Sequence, residues 1–180
     1  MSGVGLPVMG FVGRSGSGKT TLLRRVVAQL SAGGLRVGYL KHAHHTFDLD
    51  VPGKDSFEIR AAGAAQTLLA SRERWALLVE QPGSGSDPDL EEMLGRFESD
   101  GLDLILVEGF KHAGYPKIEV FRAACGHPPL FPADADILAI ATDDPIASPG
   151  GRAVLPLADP GAVAAFVLAH LRSAGRDPVC

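Results

Sequence analysis

One short stretch near the start limits what this chain can fold into more than any other. Gly13-Arg14-Ser15-Gly16-Ser17-Gly18-Lys19-Thr20 fits the pattern G-x-x-x-x-G-K-[ST] in full. The pattern alone arises by chance, so its flanks decide. Pro7-Val8-Met9-Gly10-Phe11-Val12 enters it as an apolar run short enough for a buried strand. Leu22, Leu23, Val26, Val27 and Leu30 follow at helical spacing and give one apolar face before Gly33-Gly34 ends the helix. A buried strand, a glycine loop and an amphipathic helix, in that order, form the frame in which a loop can wrap a phosphate.

The glycines let the backbone curl so that successive N–H groups point inward at phosphate oxygens, and the helix adds its positive N-terminal end. Lys19 is expected at the β- and γ-phosphates as a catalytic cation, and the Thr20 hydroxyl on Mg²⁺. Gly13, Arg14, Ser15, Gly16, Ser17, Gly18, Lys19, Thr20 and the adjoining Thr21 are the candidate nucleotide-binding residues. The bland alternative is a Gly/Ser turn capped by Thr20.

Strands and helices alternate through the rest of the chain. A second strand over 35–40 leads into a polar segment, Lys41 to Lys54, and then a helix from Asp55, the expected N-cap, to about Ala62. Strands over 66–70 and 75–80 flank Ser71-Arg72-Glu73-Arg74, which is short enough for an antiparallel hairpin. Pro82 to Asp87 reads as an exposed loop, and Leu90, Met93, Leu94 and Phe97 mark another amphipathic helix. Leu102 to Val107 is almost wholly apolar, as in a central strand buried on both faces. Strands over 117–121, 137–141 and 153–155 follow, the first two separated by a Pro-rich connection, and a helix closes the chain over 160–171. This order predicts a single α/β domain over 1–180 with a core at about 7–172. Its fold class is a three-layer P-loop NTPase fold with a mainly parallel sheet and an antiparallel hairpin.

At 180 residues a core of this kind closes without disulfides or metals. A net charge of -4 and an isoelectric point near 5.8 provide no basic field for a nucleic-acid backbone. Cys125 and Cys180 are too few and too far apart for a disulfide framework. The N-terminus lacks a charged and then apolar leader, and no apolar run is long enough to span a membrane. The expectation is a cytoplasmic protein with neither nucleic acid nor membrane as partner.

A Mg²⁺-nucleotide site needs an acidic group at a neighbouring strand end. Glu108 stands where the most hydrophobic strand stops, before Gly109, and is the candidate to hold the metal or orient a hydrolytic water. Asp48 and Asp50, in the polar segment, are candidate outer ligands of Mg²⁺ or ordinary solvated acids, and Lys41 is a further candidate for the phosphates. His42, His44 and His45 can share a metal at i, i+2 spacing or simply line a polar loop. In Thr142-Asp143-Asp144, the Asp143 carboxylate is placed to accept N1–H and the exocyclic amino group of guanine, a pair adenine does not offer; an Asp before Pro145 is also an ordinary turn residue.

Several segments together resemble the molybdopterin-guanine dinucleotide biosynthesis protein B family (MobB type). They are the loop Gly13 to Thr20, Lys41-His42-Ala43-His44-His45, Phe47-Asp48-Leu49-Asp50 and Pro52-Gly53-Lys54-Asp55-Ser56. Arg60-Ala61-Ala62-Gly63-Ala64, Leu106-Val107-Glu108-Gly109-Phe110-Lys111 and Pro116-Lys117-Ile118-Glu119-Val120 complete the set, in order along most of the chain. The resemblance implies a GTP-binding protein with weak intrinsic Mg²⁺-dependent hydrolysis. Its implied task is to assist a molybdenum cofactor guanylyltransferase in attaching GMP to molybdopterin, itself a possible bound ligand, and its implied state is a homodimer. Carried over by position, Gly13 to Thr20 bind phosphates and Mg²⁺, Glu108 sits at the γ-phosphate, and Lys41 and Asp48 fall in a mobile loop. Asp143 falls in a less regular base-recognition strand. The Asn-Lys-x-Asp signature of regulatory GTPases is absent.

Two other classes fit a P-loop chain of this length. A small-molecule kinase would want an arginine-rich lid, and the stretch between Val120 and Ile137 offers only Arg122. A nucleotide-dependent adaptor without turnover would use the same loops to report GTP to a partner.

Overall fold

In the computed structural model, which describes residues 5–43, 47–81 and 87–173, side-chain alternation along the central strands builds the layers. In chain order the strands are β1 (Val8–Val12), β2 (Val37–Lys41), β3 (Gln66–Ala70), β4 (Trp75–Val79), β5 (Leu104–Glu108), β6 (Lys117–Val120), β7 (Ile137–Thr142) and β8 (Ala153–Pro156). The helices are α1 (Lys19–Ala32), α2 (Asp55–Ala61), α3 (Leu90–Leu94) and α4 (Pro160–Ser173). Six strands form one sheet in the order β2-β5-β1-β6-β7-β8, every neighbouring pair parallel.

Met9 and Phe11 of β1, with Leu104 and Leu106 of β5, face one way and pack on α1 and α4 through Leu22, Leu23, Val26, Leu30, Val163 and Val167. Ile105 and Val107 face the other way, onto Leu90 and Leu94 of α3 and the rings of Phe110 and Tyr115. All of β5 is buried, as its unbroken apolar run requires of a strand covered on both faces. Two short 3₁₀ turns, Ala123–Cys125 and Phe131–Ala133, occupy the Pro-rich connection between β6 and β7. The second of them lies over β6, whose Lys117 and Glu119 are each only 1% exposed. Lys117 pairs with Asp134 at 2.7 Å, and the Glu119 carboxylate accepts the backbone N–H groups of Leu130 and Phe131. Buried charge is tolerated there because each group is paired or hydrogen-bonded.

The chain divides into two compact units, Met1–His42 with Pro88–Cys180, and Ala43–Asp87. The six-stranded sheet belongs to the first. The expected hairpin forms in the second, as a separate two-stranded antiparallel sheet with Leu68 opposite Leu77 and Ala70 opposite Trp75. Its connection is closed by Ser71, whose hydroxyl oxygen accepts the N–H groups of Glu73 and Arg74. Within this unit the Arg60 guanidinium bridges the carboxylates of Asp48 and Glu80 and lies over the Phe57 ring.

Two helix ends differ from expectation. Asp55 is the first residue inside α2, with Lys54 at the cap and no side chain bonded to it, so the acid supports the helix through its dipole end. Helix α3 ends at Leu94, with Gly95 at its C-cap still bonded to Glu91; Phe97 packs on the same cluster from beyond the helix. The loop expected at Pro82 lies outside the described residues, as does Cys180. Among the described residues no helix is long and apolar enough to cross a membrane.

The sheet stands on β5, and one truncation there measures its weight. Leu106→Ala removes a fully buried side chain and is expected to lower unfolding free energy by about 2–5 kcal/mol. Urea denaturation should show a lower midpoint at an unchanged slope.

Candidate functional site

Strand order sets the position of the site. β1 runs between β5 and β6, and the crevice at the carboxyl ends of parallel strands is where such sheets hold ligands. The loop 13–18 leaves β1 at that edge and feeds α1. Gly13 sits at φ 144°, and a Cβ there would lie 2.4 Å from the Val120 carbonyl oxygen. Gly18, the cap of α1, is left-handed at φ 94° and has open space around it apart from the Arg122 guanidinium 3.8 Å away. No side chain caps the helix start, so its first N–H groups keep their capacity for an anion. The Ser17 hydroxyl is buried under the loop, 1% exposed, and has no hydrogen-bond partner among the described residues. A buried polar atom left in this way calls for a group that the described residues do not supply.

Lys19 folds back over the loop, donating to the carbonyl oxygens of Gly13 at 3.0 Å and Arg14 at 2.8 Å. Burial holds its ammonium below the ordinary lysine range, opposed by the charge of Glu108. Thr20 donates its hydroxyl to Oε1 of Glu108 at 2.8 Å. Tyr39 donates to Oε2 at 2.6 Å, and the Lys41 ammonium stands 3.7 Å from Oε1. Glu108 itself is 6% exposed. Its hold on the sheet is direct: it pairs with Lys41 of β2 and with Phe11 of β1 in register. Thr20 and Glu108 together present hard oxygen donors at the N-terminal end of α1, the donor type Mg²⁺ takes.

The structure thus brings together Gly13, Arg14, Ser15, Gly16, Ser17, Gly18, Lys19, Thr20, Thr21, Lys41 and Glu108 around one strand-end crevice. Asp143, on the turn after β7, uses Oδ1 to accept the Ala158 N–H at 3.2 Å. Oδ2 of Asp143 has no partner among the described residues. Asp144 accepts the Ala123 N–H at 2.7 Å and ties this turn to the one after β6. Asp48 belongs to the second unit, where the Asp50 N–H and then Arg60 hold its carboxyl below the usual range. Asp50 accepts the Ser56 hydroxyl. His42 stacks on Phe110 with ring centres 4.7 Å apart; His44 and His45 lie outside the described residues. Among the described residues no group of three His, Cys, Asp or Glu side chains is assembled as a metal site.

Tyr39 is the residue sequence reasoning missed. The signal was present: it stands two positions before Lys41 on one strand, so both side chains leave the same face.

A family model described as molybdopterin guanine dinucleotide synthesis protein B matches residues 8–143. The chain belongs to this family. Known members agree with the match. The molybdopterin-guanine dinucleotide biosynthesis adapter protein of Escherichia coli (strain K12) is 48% identical over 142 residues, covering 78% of this chain and 81% of its own length. The protein of the same description from Haemophilus influenzae is 42% identical over 141 residues, covering 78% and 77%. The crystal structure of Bacillus subtilis MobB superposes with a TM-score of 0.72 at 26% identity over 91% of this chain and 97% of that one. The MobB homologue of Bacillus stearothermophilus gives 0.66 at 27% identity, over 92% and 98%. The matched span of the family model runs from β1 to Asp143 and so contains the whole strand-end crevice.

Both tyrosines of the chain titrate above the ordinary tyrosine range. Tyr39 is raised by burial and by its bond to Glu108, and Tyr115 by burial and the nearby Asp134 charge. Raised folded values mean that this contribution to stability is complete below about pH 10 and is lost as pH climbs past it. Absorbance titration of the native protein should therefore show little tyrosinate near pH 10, where the urea-unfolded chain is half ionised.

Proposed function

We propose that this chain binds GTP with Mg²⁺ in the loop 13–20, hydrolyses it weakly, and serves as an adapter in forming molybdopterin guanine dinucleotide, assisting the guanylyltransferase that performs the transfer. The observation that carries the reading is the cluster of Lys19, Thr20 and Glu108 beside an uncapped helix start and an unpartnered Ser17 hydroxyl. In this reading the Lys19 ammonium exchanges the carbonyls of Gly13 and Arg14 for phosphate oxygens, and Ser17 and the first N–H groups of α1 receive the rest. Thr20 and Glu108 hold the metal. Mg²⁺, when bound, neutralises charge on the β- and γ-phosphates. Glu108 orients water only when Tyr39 releases Oε2, which keeps intrinsic turnover slow. Asp143 accepts one N–H of the guanine edge through Oδ2 and the other through Oδ1, which also holds the Ala158 N–H. Support for the pathway comes from the adapter proteins of E. coli and H. influenzae, whose description is extended here to this chain. Molybdopterin as a ligand, a homodimeric state, a cytoplasmic setting, one working domain over 1–180 and Asp48 as an outer metal ligand belong to the same proposal.

A second reading has its own observation. Both Glu108 oxygens are engaged by Thr20 and Tyr39, which suits an adaptor that reports bound GTP to its partner without turnover. Hydrolysis measured with and without the guanylyltransferase separates the two: acceleration supports the first, and GTP-dependent association without phosphate release supports the second.

Calorimetry tests the base and the loop together. GTP is expected to bind in the micromolar range with Mg²⁺, and Lys19→Ala to weaken it by roughly a hundredfold, as loss of a charge-assisted phosphate contact does. Because Lys19 titrates below the ordinary lysine range, affinity should fall with rising pH earlier than an exposed lysine would allow. Strong ATP binding with none for GTP would end the guanine assignment.

A further inference from the structure

We infer that Arg122 is a second cationic contact to the bound triphosphate, reaching the loop from the flank opposite Glu108. The inference rests on the triphosphate reading above and adds a residue that neither the P-loop pattern nor the carboxylate search selected.

Topology supplies the first argument. β1 lies between β5 and β6, so the loop it feeds has two shoulders. Glu108 ends β5 on one shoulder, with Tyr39 and Lys41 of β2 behind it. Arg122 follows β6 on the other, in an extended conformation (φ -139°, ψ 123°) that carries the strand direction onward. Its guanidinium stands 3.8–3.9 Å from where a Cβ of Gly18 would be, at the mouth of α1.

Its backbone is fixed while its side chain is not. The 3₁₀ turn after it is closed by the Cys125 N–H on the Arg122 carbonyl and by the Gly126 N–H on Ala123. The Ala123 N–H is held by Asp144 at 2.7 Å, and Phe121 bonds to Ala141 of β7. Yet the side chain is exposed, and among the described residues it makes no hydrogen bond or ion pair. Two other cations beside the loop are committed: Lys19 to the loop carbonyls and Lys41 to Glu108.

Charge supplies the second argument. A triphosphate carries more negative charge than one Mg²⁺ and one lysine offset, and Glu108 adds another carboxylate beside it. An unpaired guanidinium at the opposite shoulder closes that deficit, and its planar fork suits phosphate oxygens. Cys125 reports on the same place: it ends the turn, is partly exposed, and lies near enough to Lys19 to interact with its charge.

The test uses the full chain with Mg²⁺ and three probes, GTP, ATP and inorganic tripolyphosphate. Arg122→Ala and Arg122→Gln should weaken whichever of these the wild type binds by roughly ten- to a hundredfold, equally for all because the contact reads phosphate and not base. Arg122→Lys should restore part of the loss. Thermal midpoints should stay within about 1 °C, since an exposed side chain without partners supports little. Maleimide labelling of Cys125, followed by peptide mass, gives a second readout: nucleotide protects the wild-type thiol, and the variants need correspondingly more nucleotide for equal protection. Wild-type binding matched within twofold by both variants overturns the inference and leaves the triphosphate reading standing. Failure of the wild type to bind any probe overturns that reading and the inference with it.

Discussion

A carboxylate buried at the end of a fully buried strand is the constraint from which the rest of this site follows. A buried carboxylate needs donors, and the fold supplies Glu108 with three of them from two elements. Thr20 comes from the first turn of α1, Tyr39 and Lys41 from β2. Each depends on strand register. A shift of β2 against β5 by one residue would turn Tyr39 and Lys41 to the opposite face and leave Glu108 with Thr20 alone. The parallel pairing of β1, β2 and β5 is therefore also what holds the loop 13–18 and its helix against an acidic group.

Much of this was legible before any coordinates. The unbroken apolar run ending in Glu108 identified a central strand, because only burial on both faces removes the need for alternation. Spacing on α1 identified the face that packs on the sheet, and a glycine pair marked its end. Residues whose partners are distant in sequence were less legible. Tyr39 reads as one more strand aromatic until Glu108 is known to lie opposite. Lys117-Ile118-Glu119-Val120 reads as a strand with one wet face, whereas both charged residues are buried. The difference is made by the turn Phe131–Ala133 and Asp134, which cover that face and supply N–H groups and a counter-charge. Periodicity reports which side chains share a face; it carries no information about what will cover that face.

The second unit illustrates a different limit. Its hairpin was predicted from a short polar connection, and it forms, but local pattern could not assign it to its own sheet. Arg60 does much of the internal organisation, joining Asp48 to Glu80 through one guanidinium. Asp48, an acid in a polar segment after a strand, reads from sequence as an outer metal ligand or as an ordinary solvated acid. An arginine twelve positions away in the chain is the kind of partner that turns such an acid into a structural anchor, and a free metal would have to compete with it.

Gly13 carries a consequence for how variants of the loop are interpreted. A side chain at that position would meet the Val120 carbonyl within the sheet, so packing demands glycine there even in a chain that bound nothing. At Gly18 a Cβ would meet the Arg122 guanidinium only at ordinary contact distance, so backbone conformation is the main constraint there. Loss of binding after substitution at Gly13 therefore mixes a displaced strand with a damaged cradle, while the same loss at Gly18 reports the cradle more directly. Two glycines of one motif answer to different masters, and only one of them speaks for the ligand.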